Sequence, residues 1–268
     1  MTANRLKHIA PKISKAARIK VLTLDIETRP NLAHVWGLWQ QNVGLSQIVE
    51  RGHVMCWVAK WYGEKDPIFM SDHHDGHDAM IEGIWKLLDE ADVVVTWNGV
   101  SFDMKHLRRE FVLAGLTPPS PWKDIDLMLT VKREMKFPSN KLDNVAQELG
   151  IGGKVHHTGF DLWNRCMADE PKAWETMRKY NIQDVRLTER LYDKLRPWIK
   201  NHPHMGMWVD SGDADLFACA NCGHTVRETG DIVHTNVQQY TGYVCPNCGA
   251  HARGTTRLKN PTRTRSAR

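Results

Sequence analysis

The stretch Lys20-Val-Leu-Thr-Leu-Asp-Ile-Glu27 constrains the fold of this chain more than any other. Val21, Leu22, Leu24 and Ile26 form the near-continuous, partly β-branched apolar run of a strand buried on both faces. Asp25 and Glu27 interrupt it, and because side chains alternate along a strand, both carboxylates project from one face. Two acids at the end of a central strand cost free energy unless something neutralises them. A divalent cation would do so, although a strand running out into a polar loop would show the same two residues.

Later segments supply possible partners. His34 to Val43 is aromatic-rich and reads as a second strand, and His53 to Tyr62 as a third. A turn at Gly63–Asp66 and a short run at Pro67–Met70 follow, which suggests an antiparallel meander. The run Ser71 to Asp78 holds His73, His74 and His77, but its place before a helix over 79–90 favours a polar helix-starting loop over a metal site. Asp92 to Trp97 is a short strand ending in Asn98-Gly99. A helix over 102–114 comes next, with Ser101 as N-cap and Asp103 in the first turn, where the helix dipole favours an anion. After a Pro-rich connection at 117–121, Asp124 to Leu129 reads as a strand or short helix, and Leu142 to Leu149 as a helix stopped by Gly150. Residues 152–157 form a Gly-rich loop. The last long helix is expected over 171–198, with Pro171 in its first turn and Trp174, Met177, Leu187, Leu191 and Leu195 as its buried stripe. Tyr180 and Asp184 interrupt that stripe one turn apart, on one face, and need a polar partner.

Three segments therefore deliver acids from a strand end or the inward side of a helix: Asp25/Glu27, Asn98-Gly-Val-Ser-Phe-Asp103 and Tyr180-Asn-Ile-Gln-Asp184. Oxygen-only ligands favour Mg²⁺ or Mn²⁺. The four acids Asp25, Glu27, Asp103 and Asp184 exceed what one Mg²⁺ takes from protein, so two metals are expected.

A second constellation lies toward the C-terminus. Cys219-Ala-Asn-Cys222-Gly and Cys245-Pro-Asn-Cys248-Gly, with 22 residues between them, have the spacing of a four-thiolate zinc site. The two turns resemble zinc-ribbon knuckles, and Val226, Ile232, Val233, Val237, Tyr240 and Tyr243 suit short strands between them. So small a core is expected to fold only with its metal. Cys56 and Cys166 are left over and are expected to pack inside.

Charge is unevenly spread. The net +5 combines six Lys/Arg in residues 1–20 and six in 252–268, both segments free of acids, with a remainder of 24 basic and 31 acidic residues. Basic arms on an acidic body fit an enzyme that gathers carboxylates around metals and grips phosphates with its arms, though such arms also serve solubility. The N-terminus has no signal-peptide core, and no run approaches the ~18 apolar residues of a membrane span, so a cytoplasmic, thiol-reducing location without membrane contact is expected.

The three acidic segments, in this order, resemble the motifs of DEDD-family 3′–5′ exonucleases; successive key acids lie 76 and 81 residues apart. Tyr180, four residues before Asp184, matches the tyrosine branch, whereas the position of the histidine branch's His is held by Lys179. Lys141 to Lys154 is also similar to the segment preceding the third motif in proofreading domains of family B DNA polymerases. The resemblance covers roughly residues 18–200 and leaves no room for a polymerase, so a stand-alone exonuclease is expected.

The resemblance implies an α/β, ribonuclease H-like fold: a five-stranded mixed sheet with flanking helices, carrying a small C-terminal zinc ribbon. It implies that Asp25, Glu27 and Asp184 bind the metal that activates water. Asp25 would bridge to a second metal near Asp103, Tyr180 would orient the attacking water, and Asn98, Phe102 and Thr28 would meet the 3′-terminal nucleotide. Phe102 fits helix core equally well. The expected division is a basic arm over 1–17, the nuclease domain over 18–200, a linker over 201–214, the ribbon over 215–252 and a basic tail over 253–268. The expected substrate is the 3′ end of single-stranded DNA, with proofreading in trans as one role. The ribbon would grip DNA, dock a DNA polymerase or other replication protein, or stiffen the C-terminus. An RNA-directed exonuclease of the same fold remains an alternative, as does a zinc-ribbon nucleic-acid-binding factor with an inactive nuclease body.

Overall fold

A computed structural model describes residues 19–153, 159–208 and 217–259 of the chain. The chain separates into two compact units, Lys20–Asn201 and a second that contains His202–Arg268.

In the first unit, β1 (Val21–Thr28) is the middle strand of a five-stranded mixed sheet. Short β2 (Leu32–Ala33) and β3 (Ile48–Glu50) pair with each other in the connection that leaves it. β4 (Val54–Trp61) returns antiparallel to β1, and β5 (Ile68–Ser71) returns antiparallel to β4, a meander that omits the strand expected over 34–43. A helical turn, α1 (Asp72–Asp75), and α2 (His77–Glu90) lead to β6 (Val93–Thr96), parallel to β1. After α3 (Asp103–Leu113), β7 (Lys123–Asp126) adds parallel to β6 and runs straight into α4 (Leu127–Glu134). Then come α5 (Leu142–Glu148), α6 (Phe160–Met167) and α7 (Pro171–Leu195).

Alternation along β1 assigns its faces. Leu22, Leu24 and Ile26 pack with Met80, Ile84 and Leu88 of α2 and Met104 and Leu107 of α3, all at most 3% exposed. Fully excluding such side chains from water contributes roughly 1.5–3 kcal/mol each, so this face anchors the strand without help from a ligand. The opposite face, with Asp25 and Glu27, meets α7. That helix is 25 residues long, about 37 Å, and buries Trp174, Met177, Leu187, Leu191 and Leu195 as its periodicity requires. Lys60 of β4, 6% exposed, bonds Glu189 of α7 at 2.6 and 2.8 Å and locks the register of helix on sheet.

Several expectations need correction. His34 to Val43 is no strand. Its chain bends at Trp36 and again over 38–40, where Gln40 takes φ 50°, and Trp36, Leu38 and Trp39 have no sheet to pack on. Ser101 does not cap α3. The helix follows Phe102 with no side-chain cap, because the turn at Asn98 already takes the Ser101 and Phe102 N–H groups and the Gly99 carbonyl takes that of Met104. The last helix stops at Leu195 and continues as a 3₁₀ turn, Arg196–Trp198, where Pro197 cannot extend α-helical bonding. The histidine-rich run needs no correction: His73, His74 and His77 start helices, as expected, and bond separately, to Asp169, Ser71 and Glu110. The basic arm, the Gly-rich loop beyond residue 153, the linker beyond residue 208 and the tail beyond 259 lie outside the described residues.

The second unit is a three-stranded antiparallel sheet of β8 (Arg227–His234), β9 (Gln239–Val244) and β10 (His251–Arg257), in the order β10-β9-β8. Two turns of one design feed it. Gly223 N–H donates to the Cys219 carbonyl and Gly249 N–H to that of Cys245, both at 2.9 Å, with glycine φ values of 77° and 74°. Residues with a Cβ resist that left-handed geometry. β10 also corrects the expected tail, since Arg253 and Arg257 belong to a paired strand.

Candidate metal centre and nucleic-acid cleft

Asp25, Glu27, Asn98, Phe102, Asp103, Tyr180 and Asp184 line one cleft of about 750 Å³ in the first unit. Thr28 stands at the end of β1, paired with Val54, outside that lining. Three local structures bring the acids together. β1 presents Asp25 and Glu27 on its α7 side, and both are half-buried. On α7, Tyr180, Asn181, Asp184 and Thr188 form a buried polar stripe set into the apolar one. Asn181 Nδ2 donates to Asp25 Oδ2, so the helix fixes one carboxylate of the strand directly.

Asp103 arrives by a tighter route. After β6, Asn98 takes φ 70°, and a Cβ at Gly99 would lie 2.3 Å from Thr96 Oγ1, so this turn accepts only glycine there. Asp126, at the end of neighbouring β7, holds the turn by accepting from the N–H groups of Asn98 (3.0 Å) and Val100 (3.3 Å). The same carboxylate caps α4 through Met128 and Leu129. The turn aims Asp103 back at the sheet, where Oδ1 accepts from the Ile26 N–H at 3.1 Å. Burial pushes the Asp103 carboxyl up to about 7, and the charge of Asp126 adds to this, against the lowering effect of backbone hydrogen bonds. Burial, followed by the charges of Asp184, Glu27 and Asp25, pushes the Tyr180 phenol up, so it stays protonated and donates.

The donor set is all oxygen, with one carboxyl already disfavoured as an anion. Such a set fits hard divalent cations, which would restore the charged form of Asp103. Asn181 and Asp126 were not read as functional from the sequence. The first sits inside the quoted Tyr180–Asp184 segment, while the second's bonds to the Asn98 turn span 26 and 28 residues, beyond the reach of its local helix-capping pattern. Lys132, Lys141 and Asp143 also line the cleft, and the latter two lie in the quoted 141–154 stretch.

In the second unit, the Sγ atoms of Cys219, Cys222, Cys245 and Cys248 all lie within 4.8 Å of one another. Cys219–Cys248 is 3.7 Å and Cys222–Cys245 is 3.5 Å. Sulfurs about 2.3 Å from a tetrahedral ion stand close to that separation. Among the described residues, these four cysteines are the group of His, Cys, Asp and Glu ligand atoms that lie within 4.8 Å of one another.

The family model of the RNase_H superfamily matches residues 44–196, and this chain belongs to that superfamily. The match begins after β1, so it does not reach Asp25 or Glu27. Among solved structures, the family B DNA polymerase from the hyperthermophilic archaeon Pyrobaculum calidifontis is similar over 67% of this chain, at 20% identity and a TM-score of 0.52. The similarity covers 25% of the polymerase chain. No curated protein matches. The fold and superfamily support nuclease activity in general, and with it nucleic-acid binding. Among the described residues, no helix is long and apolar enough to cross a membrane.

Proposed function

We propose that this chain is a metal-dependent 3′–5′ exonuclease of the tyrosine DEDD type, acting on single-stranded DNA. The observation that carries the reading is the convergence of Asp25, Glu27, Asp103, Tyr180 and Asp184, from three distant segments, on one cleft. When bound there, a pair of Mg²⁺ or Mn²⁺ ions would generate the nucleophilic hydroxide and neutralise charge on the leaving oxygen. Asp25, Glu27 and Asp184 would hold one ion, and Asp25 with Asp103 the other. Tyr180 would donate a hydrogen bond that orients the attacking water, its raised pKa arguing against a role as base. Asn181 would keep Asp25 in one rotamer. Phe102, 38% exposed, offers a ring to the terminal base, and the positive-φ Asn98 lies beside it. Lys132 and Lys141 on the same walls would meet backbone phosphates.

The four thiols would hold one zinc, whose role is structural. The ribbon would be a separate module that meets DNA or a replication protein, with Arg253 stacked 4.0 Å over Tyr240 and Arg257 further along β10 as contacts.

End-labelled single-stranded DNA, duplex DNA and RNA, each digested with Mg²⁺ or Mn²⁺, test the reading. A 3′-blocked single strand should survive, a 5′-blocked one should be shortened stepwise, and DNA should be preferred. Cleavage of closed circular single strands would make the protein an endonuclease and overturn the assignment.

A further inference from the structure

The connection between β1 and β4, residues 29–53, has a pinned stem and an uncovered tip. At the stem, Arg29 N–H donates to the His53 carbonyl and Gly52 N–H to Asn31 Oδ1, both at 2.8 Å. Arg109 of α3 reaches across to the Gly52 carbonyl. Further out, the Gln47 amide clamps both sides of the loop. It accepts from Gly44 N–H at 2.8 Å and donates to the His34 carbonyl at 2.9 Å. Beyond the clamp, Trp36 is 99% exposed, Leu38 87% and Trp39 85%. So much apolar surface in a loop with a fixed shape marks a site of contact rather than a stretch of loose chain.

The chemistry around the loop says what the contact is. Its stem forms one wall of a second cavity, of about 590 Å³, at the end of the sheet where β1 finishes. Arg29, Arg51 and Arg109 line it; Arg29 pairs with Glu50 and Arg109 with Glu110, each at 3.2 Å, whereas Arg51 makes no ion pair among the described residues. The acids on its walls each face a histidine, Asp72 with His53, Glu110 with His77 and Asp169 with His73, and Glu110 shares its other oxygen with Arg109. Open indole faces suit unpaired bases, and guanidinium groups at their foot suit phosphates.

We propose that residues 29–53 hold single-stranded nucleic acid, with bases stacked on Trp36 and Trp39 and the backbone against Arg51, flanked by Arg29 and Arg109. This rests on the nuclease reading of the adjacent cleft, since Arg29 follows Glu27 by two residues on the same strand exit. The loop then serves as the platform for nucleotides other than the one being cleaved.

The test uses the full chain in EDTA, titrated into a fluorescein-labelled oligothymidylate of roughly 30 nucleotides, because each stacked base is worth a several-fold change in affinity. W36A/W39A should bind at least about tenfold more weakly, with an unchanged melting curve, since both rings are exposed. Affinity for blunt duplex DNA, whose bases are already stacked, should fall less than about threefold. R51A should flatten the dependence of log affinity on log salt by about 0.7. If W36A/W39A binds the single strand as wild type does, while wild type digests it in Mg²⁺, the platform is overturned and the nuclease reading stands. An equal loss on duplex would also overturn stacking. If wild type neither binds nor digests the strand, both readings fall.

Discussion

In the first unit, Asp25, Glu27, Asp103, Tyr180 and Asp184 come from β1, α3 and α7, positioned by a core to which none of the four acids contributes and Tyr180 adds only its ring. Leu22, Leu24 and Ile26 are buried to within 3% on the face opposite the acids. In the second unit, the four cysteines come from two copies of one turn, and the core around them is little more than Val226 and Ala250. The comparison separates two uses of a ligand cluster. Where an apolar core sets the positions, the donors line an open cleft of about 750 Å³ that leaves room for water and substrate. Where the donors themselves are most of the core, they are packed to the separation of a closed shell.

The sharpest way to break that comparison is to remove one ligand from each side. Asp25→Ala or Asp184→Ala should lower the cleavage rate by roughly a thousandfold or more while the fold persists. The metal-free melting temperature should hold or rise, because like-charge repulsion is relieved. Gel assays paired with calorimetry check both halves. Cys222→Ser should instead release zinc and unfold the sheet of β8 to β10, since the metal contributes on the order of 10 kcal/mol to so small a domain. Limited proteolysis should then cut within 217–257 and spare Lys20–Asn201. A folded second unit in the zinc-free variant would end the distinction.

Two smaller effects sharpen it. Tyr180→Phe should slow cleavage by about 10- to 100-fold, the range for losing one positioned hydrogen bond, with metal affinity unchanged. The pH dependence of metal-free stability should report Asp103. Its folded-state carboxyl titrates at about 7 against 3.8 for the ordinary group, so between those values the folded state holds a proton that the unfolded chain has lost. Stability is therefore lost as pH rises from 4 toward 7. Asp103→Asn should be more stable than wild type at pH 8 by roughly 1–3 kcal/mol, and near pH 4 the gain should vanish. Denaturant melts in EDTA at the two pH values measure the difference.

What could be read from the sequence follows the range over which each feature is determined. β1 and its acids, the stripe of α7 and the paired cysteine turns are local patterns with periods of two, three to four, or fixed spacing, and each stands where expected. The 34–43 loop misled because aromatic content favours strands, whereas pairing needs a free sheet edge and unbroken extended backbone, which the bends at 36 and 38–40 and the positive φ of Gln40 deny. α6 went unread, a short helix of eight residues behind a Gly-rich loop. β10 was hidden because Arg, Thr and Gly on an exposed strand look like a tail. Asp126 was invisible for a different reason. Its carboxylate joins the turn after β6 to the start of α4, and only the folded sheet brings those two together.

The measurement that most directly tests two ligand clusters with different jobs is a brief EDTA treatment of the intact protein, followed by zinc analysis and a nuclease assay. Weakly held ions in the carboxylate cleft exchange readily, whereas four thiolates retain zinc. The expected result is complete loss of cleavage with about one zinc kept per chain, and full recovery on adding Mg²⁺ alone. Cleavage that survives EDTA, or that returns only when zinc is supplied, would contradict the division.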